Sequence, residues 1–502
     1  MRRGSHGRRW RFSALALASL VALPWATGAG EAQQGPEAAA SRGATRSLAF
    51  SATSPAAIGE RYPADRRHSP VTASVASRWR ALAELREGLH PNVVAKIGAS
   101  ATVNRNFLRC LASSHVDLGG RQDLAETLAF FNQPDGRPGW RNPFRRTSVA
   151  AEVGWHAGRA ITGTHPPLAQ EVRAVDPQYA VILYGTNDIE LGRPHSYAAN
   201  MRRLVEMLEI RGVIPILTTI MPRDDDAGSD RRVALYNAVI RAVAQAHRLP
   251  LIDYHRELMP LPNHGLARDG VHPRAYFVDG RPRSCDFGPE GLEHGHNVRN
   301  LLTLEALDRV RRVLMEDQPP VEPPPPPLVG QGSFRSPIEA GGLPFSHAAD
   351  TSLSPFRDRD RYPGCVDTDE GGPEVVYRFR FDQPVEAYFL AAPYLGADVD
   401  VHLLRSVPGG EPQCIARGDL YVQERLEPGE YLLAVDTFRD RRGREQAGAY
   451  LLAAARTDLP SPANRRPRLA DRGDGAGPDE VRRARRRRAA RRAARIAGGA
   501  AP

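Results

Sequence analysis

Four polar residues stand in places where together they could activate a nucleophile and stabilise the charge its attack creates. Ser100 ends the stretch VVAKIGAS, Asn187 lies in GTND, and Asp269 and His272 lie in DGVHP. A serine hydroxyl is a poor nucleophile until a neighbouring imidazole takes its proton. The imidazole in turn needs a partner that fixes its tautomer and stabilises the imidazolium, a role open to Asp269 three positions before His272. The negative oxygen formed on attack needs fixed donors, which the Asn187 side-chain amide and the Ser100 backbone N–H can supply. Each motif taken singly also reads as an ordinary turn or helix cap.

The elements around these residues bring them together. Val93, Val94, Ala95 and Ile97 form a short apolar run, and Gly98-Ala99 lets the chain turn before Ser100. Further apolar strands are expected at 178–185, 213–220 and 249–254, alternating with helical patterns at 73–89, 197–212, 231–248 and 298–317. Such alternation implies a parallel sheet covered on both faces, whose ligands bind past the carboxyl ends of the strands. Ser100, Asn187 and the Asp269/His272 loop all follow predicted strands, so one sheet edge can collect them.

In this order, KIGAS, GTND and DGVHP resemble the motifs of the SGNH or GDSL-type serine hydrolases, over about residues 93–315. The resemblance implies a flavodoxin-like three-layer α/β/α sandwich and hydrolysis of acyl esters through an acyl-enzyme, with neither cofactor nor metal. It implies Ser100 as nucleophile, Asp269 and His272 as its triad partners, and Asn187 as an oxyanion donor. Two departures accompany it. Ala99 replaces the family's aspartate before the serine, and the family's oxyanion glycine is matched by either Gly154 or Gly158 in RTSVAAEVGWHAGRAI.

Other titratable groups are read as structural. His255 follows a strand end, His294 and His296 form a His-x-His pair without a third ligand, and Asp224, Asp225 and Asp226 with Asp230 lack calcium-loop spacing and read as a solvated loop and helix cap.

The rest of the chain frames this unit. Five arginines precede the apolar run Phe12–Trp25, so residues 1–32 read as a signal peptide and the protein as secreted, periplasmic or held at the cell surface. Residues 33–72 read as a flexible lead, 73–317 as the hydrolase-like domain and 318–334, with Pro323–Pro327, as a stiff spacer. Residues 335–457 carry short β-type runs and read as an all-β sandwich. EVVYRFRF, ADVDVHLL, LEPGEYLLAVDTF and AGAYLLAA resemble the bacterial pre-peptidase C-terminal domain, which implies an accessory role. Asp398 and Asp400 are read there as facing solvent at an edge.

The formal net charge of +10 belongs to the ends: the tail 461–502 carries thirteen arginines against four acids. The remainder is close to neutral, which argues against specific nucleic-acid binding. Residues 458–502 read as a disordered Arg-rich tail able to contact an anionic surface or polymer. No segment is long and apolar enough for a membrane span. The four cysteines divide between the two domains, favouring Cys110–Cys285 and Cys365–Cys414 pairs in an exported protein. The function expected is a secreted esterase acting on O-acyl groups, acetyl first, of an acylated substrate such as a polysaccharide. The alternative is a catalytically decayed fold serving as an extracellular binding or adhesion module.

Overall fold

Strand β1, His90–Gly98, is buried from Asn92 onward, as a run flanked on both faces must be. It belongs to a computed structural model that describes residues 56–134, 140–365 and 369–459. The expected signal peptide and nearly all of the Arg-rich tail lie outside those residues.

The first layer system runs α1 (Ala73–Glu84), β1, α2 (Ser100–Val103), α3 (Ala125–Asn132), α4 (Ala157–Ile161), α5 (Pro167–Val175) and β2 (Pro177–Leu183). It continues through α6 (Asp188–Leu191), α7 (Pro194–Glu209), β3 (Ile214–Thr218), α8 (Ala227–His247), β4 (Leu251–Ile252) and α9 (Tyr254–Leu258). A two-stranded hairpin, β5 (Phe277–Val278) and β6 (Arg281–Pro282), precedes α10 (Gly295–Met315). The four main strands pair in parallel in the order β1-β2-β3-β4. A single parallel bridge from Gly98 to Ala151 adds the outer position beside β1. With it, the order is that of the flavodoxin-like sheet, its second strand worn down to one bridge. Helices α1, α3 and α10 cover one face, and α4, α5, α7 and α8 the other.

Local chemistry sets the helix ends. Thr72 caps α1 by accepting from the Val75 N–H at 3.3 Å, and Asp226 caps α8 by accepting from Ser229 at 2.8 Å. The cap expected in the acidic run is therefore Asp226, while its neighbours are engaged elsewhere, Asp224 with His264 at 3.0 Å and Asp225 with Arg223 at 2.8 Å.

Nine further strands build two sheets: β7 (Ile338–Gly341), β8 (Phe345–Asp350), β9 (Val375–Phe381), β10 (Val385–Pro393), β11 (Asp400–Arg405), β12 (Gln413–Gly418), β13 (Tyr421–Leu426), β14 (Gly429–Asp436) and β15 (Ala449–Arg456). They are ordered β13-β10-β15-β8 and β12-β11-β14-β9-β7. Between the sheets lies an apolar core including Phe379, Phe389, Leu433 and Leu452. Asp400 departs from its expected solvent-facing place: it is buried on the inner strand β11 and paired with Arg417 at 2.7 Å.

Two expectations about the connecting segments are corrected. Part of the lead, residues 56–72, is held by backbone bonds: Asp253 N–H donates to Arg67 at 2.8 Å, Ser69 N–H to Leu251 at 3.0 Å, and Ile58 N–H to Ala348 at 3.0 Å. Backbone pairing of this kind needs no apolar side chains, which is why composition misreads it. The proline tract does not hold two bodies apart either. β8 and β15 pack on α8 and β10 on α7, and Ala348, Leu390, Leu451 and Ala453 join the same apolar cluster as Val239, Val243 and Leu204. At the rim the Tyr394 hydroxyl meets His247 Nε2 at 2.9 Å, and His247 Nδ1 meets Glu209 at 2.7 Å.

Both disulfides lie within their halves of the chain, Cys110–Cys285 and Cys365–Cys414. The first spans 175 residues and joins the segment after α2 to the segment before α10. A loop of that length restricts the unfolded chain by about 5 kcal/mol in the chain-entropy account. Cys110→Ser/Cys285→Ser should therefore lower the urea midpoint by an amount equivalent to several kcal/mol, whereas an unchanged midpoint would show the bond to be thermodynamically idle.

Candidate active site

Gly98 sets the entry to the site. Its N–H donates to Ala150 O at 3.3 Å and its carbonyl accepts from Glu152 N–H at 3.2 Å. A Cβ here would stand 2.3 Å from Thr102 Oγ1 and 2.6 Å from Leu183 O, so only glycine lets the strand end pass. Ala99 occupies the N-cap of α2 without a side-chain cap, and the Thr102 and Val103 N–H groups donate to its carbonyl at 2.9 and 3.0 Å. Ala99 thus offers no side-chain acceptor at the cap, and the turn forms through its carbonyl alone.

Ser100 opens α2 with its hydroxyl 2.8 Å from His272 Nε2. His272 Nδ1 lies 2.6 Å from Asp269 Oδ2, and Asp269 Oδ1 accepts from the N–H groups of Val271 and His272 at 3.1 and 3.0 Å. Burial raises the Asp269 pKa, but the side-chain and backbone hydrogen bonds of His272 outweigh it and hold the carboxyl down at about 2. An ionised Asp269 fixes the proton on Nδ1 and leaves Nε2 as the acceptor facing Ser100. Sequence spacing thus brought three of the four named residues into one hydrogen-bonded relay.

Asn187 stands past the end of β2, and its side-chain N–H donates to Trp155 O at 2.8 Å. That bond ties it to the loop that leaves Gly98 at Glu152. Gly154 lies in this loop at φ +82°, with open space where a side chain would be. Gly158 lies inside α4, where a Cβ would meet Asn200 Nδ2 at 3.0 Å. Of the two glycines, Gly154 is the one in the segment between Ser100's strand end and Asn187's anchor.

Two contributors escaped sequence reasoning. Asp188 is buried, and its carboxylate accepts from the Ala157 N–H at 3.0 and 3.2 Å, holding the far end of the same loop. Burial pushes its pKa up to about 6 against backbone hydrogen bonds that lower it. The folded state thus binds the proton more tightly than the unfolded chain, whose carboxyl titrates near 3.8. Stability should fall as pH rises from about 4 to 6 and stay level above, and Asp188→Asn should flatten that slope. Urea midpoints at pH 4 and 7 for both proteins check this; parallel pH profiles would contradict it.

Arg223 is the second. It donates to Thr186 O at 2.7 Å, to Glu190 at 3.1 Å and to Asp225 at 2.8 Å. A Cβ on Gly270 would meet Asp225 N at 2.7 Å, so the loop Arg223 holds abuts the turn that carries Asp269. Arg223 follows the end of β3 by five residues, and no spacing or motif marks it in the sequence.

The competing histidines fall outside the relay. His255 is half-buried and its N–H donates to Thr219 Oγ1 at 2.9 Å. His294 Nδ1 lies 3.0 Å from Glu290 O, while both ring nitrogens of His296 are buried without a hydrogen-bond partner. Among the described residues no three His, Cys, Asp or Glu side chains converge as metal ligands, and no helix is long and apolar enough to cross a membrane.

Residues 120–276 match the model of the GDSL-like Lipase/Acylhydrolase family. The match includes Asn187, Asp269 and His272 and begins beyond Ser100, whose place rests on the geometry alone. A search of curated protein sequences gave no match. Among solved structures, the chain is similar to a GDSL-like lipase from Bacteroides thetaiotaomicron, at 16% identity over 46% of this chain and 97% of that one, with a TM-score of 0.28. It is similar to an acetylxylan esterase from Geobacillus stearothermophilus, at 17% identity over 43% and 93%, TM-score 0.29. Its sandwich is similar to the pre-peptidase C-terminal domain of a Bacillus anthracis collagenase, at 15% identity over 24% and 95%, TM-score 0.16.

Proposed function

With residues 120–276 placed among the GDSL-like lipases and acylhydrolases, a family of carboxylic ester hydrolases, we propose that this protein is a serine esterase that removes short O-acyl groups, acetyl foremost, from a carbohydrate outside the cytosol. The hydrogen-bonded line Ser100–His272–Asp269 carries the reading. Ser100 Oγ attacks the ester carbonyl as its proton passes to His272 Nε2, and Asp269 stabilises the imidazolium so formed. The Ser100 N–H, the Asn187 amide and the Gly154 N–H receive the oxyanion. His272 then protonates the departing alcohol, and water, deprotonated by the same imidazole, frees the acid and restores Ser100.

Two observations favour the finer claims. The His272 side chain is 37% exposed and that of Asp269 28%, an open site suited to an ester borne on a bulky carrier. The two disulfides suit an oxidising compartment, in keeping with the expected signal peptide. The sandwich and the Arg-rich tail then serve to hold the enzyme at an acylated or anionic polymer. Acetate release from acetylated xylo-oligosaccharides, compared with hydrolysis of p-nitrophenyl acetate and p-nitrophenyl palmitate, tests this. Turnover of both acetyl esters and not of palmitate is expected. Folded protein that cleaves no ester would favour the binding-module alternative.

A further inference from the structure

We propose that Arg299, buried beneath the nucleophile turn, is a positioning residue that fixes Ser100 and its backbone N–H for attack, an inference that rests on the serine-esterase reading. Arg299 lies on α10 and is 1% exposed. Its guanidinium donates to Ala101 O at 2.7 Å and to Thr102 Oγ1 at 3.0 Å, the two residues that follow Ser100. Its guanidinium carbon lies 3.6 Å from the centre of the Phe107 ring, so this cation–π contact and the two bonds together hold it in place. Thr102 is also the side chain against which Gly98 closes. Arg299, Thr102 and Gly98 thus form a continuous contact from α10 to the end of β1.

The absence of a counter-charge makes the placement informative. Among the described residues no carboxylate pairs with Arg299, and its Nε is buried without a partner. One turn earlier His296 is also fully buried, and burial, then the Arg299 charge, push its pKa down to about 3, so it is neutral. Burial likewise draws the Arg299 pKa down to about 9, which still leaves the guanidinium charged at neutral pH. A buried cation without a counter-charge is costly, and an apolar side chain of similar volume would fill the space at less cost. What the apolar side chain cannot do is hold α2. That helix has four residues, too few to satisfy its own last carbonyls, and Arg299 accepts that task at Ala101. A turn released from this anchor lets Ser100 Oγ and N–H drift from the attacking position, and displacements near 1 Å from such remote changes lower rates about 100-fold.

The test uses the full chain and p-nitrophenyl acetate. Arg299→Met should lower kcat about 100-fold with KM within about twofold, at unchanged near-ultraviolet circular dichroism, and Arg299→Lys should recover part of the loss. Thr102→Val, which removes one of the two acceptors and leaves the arginine in place, should lower kcat by about tenfold and serves if Arg299→Met does not fold. Folded Arg299→Met or Thr102→Val with the wild-type kcat, or with a change confined to KM, would overturn the inference. A wild-type protein that turns over no ester would instead defeat the proposed function on which it rests.

Discussion

His272→Ala is expected to lower kcat for p-nitrophenyl acetate by about 10⁴-fold or more, with little change in KM, and Ser100→Ala should match it. The reason lies in the relay. The His272 ring is the group that meets Ser100 Oγ, at 2.8 Å, and Asp269 is bonded to its far nitrogen, so with His272 gone the carboxylate has no contact through which to take the proton that Ser100 must lose. Asp269 also loses the side-chain bond that lowers its pKa most, so its carboxyl should titrate higher in the variant. The double variant should be no slower than either single one, because the two residues act as a unit. Additive losses would mean that Ser100 and His272 serve separate steps. Steady-state rates of the three variants, measured with proteins of equal thermal stability, decide between these outcomes.

Truncation after residue 317 should fail to give a stable enzyme, although the triad lies wholly within the part retained. The sandwich covers α7 and α8 through β8, β10 and β15, and Leu390 and Leu451 are buried at 0% and 2% exposure. Truncation would leave in water the apolar surface of α7 and α8 that these side chains cover, at about 25 cal/mol for each Å² exposed, which comes to several kcal/mol over a few hundred Å². That is comparable with the whole stability of an ordinary domain. The shortened protein should aggregate or melt far below the full chain in a thermal scan. A fragment ending at 317 that melts within a few degrees of the full protein would show the contact to be incidental.

That contact was legible in the sequence and passed unread. A sandwich strand with one wet face alternates apolar and polar residues, whereas YFLAA in β10 and YLLAAA in β15 do not. Phe389 and Leu452 point into the sandwich, and Leu390, Leu451 and Ala453 point toward the helices. The two runs therefore carried the sign of a second covered face. β12 and β13 were missed for the opposite reason. Gln413, Arg417, Gln423 and Arg425 are exposed or partly so along edge strands, and their composition resembles a loop.

The site was more legible than the fold around it. Ser100 and Asn187 follow β1 and β2 directly, Asp269 and His272 lie past β4 beyond α9, and this order along the chain is visible without the fold. Asp188, Arg223 and Arg299 were not legible, since their work is done through contacts with residues distant in sequence. Arg299 meets Ala101 across 198 positions. No periodicity or spacing encodes such a meeting.

The central claim is that Ser100 is an activated nucleophile. Its most direct measurement is the reaction of the full chain with a fluorophosphonate, followed by mass-spectrometric mapping of the adduct. One adduct at Ser100, absent from Ser100→Ala and slowed by orders of magnitude in His272→Ala, is the predicted result. Folded protein that takes no label, or takes it at another residue, would contradict the account.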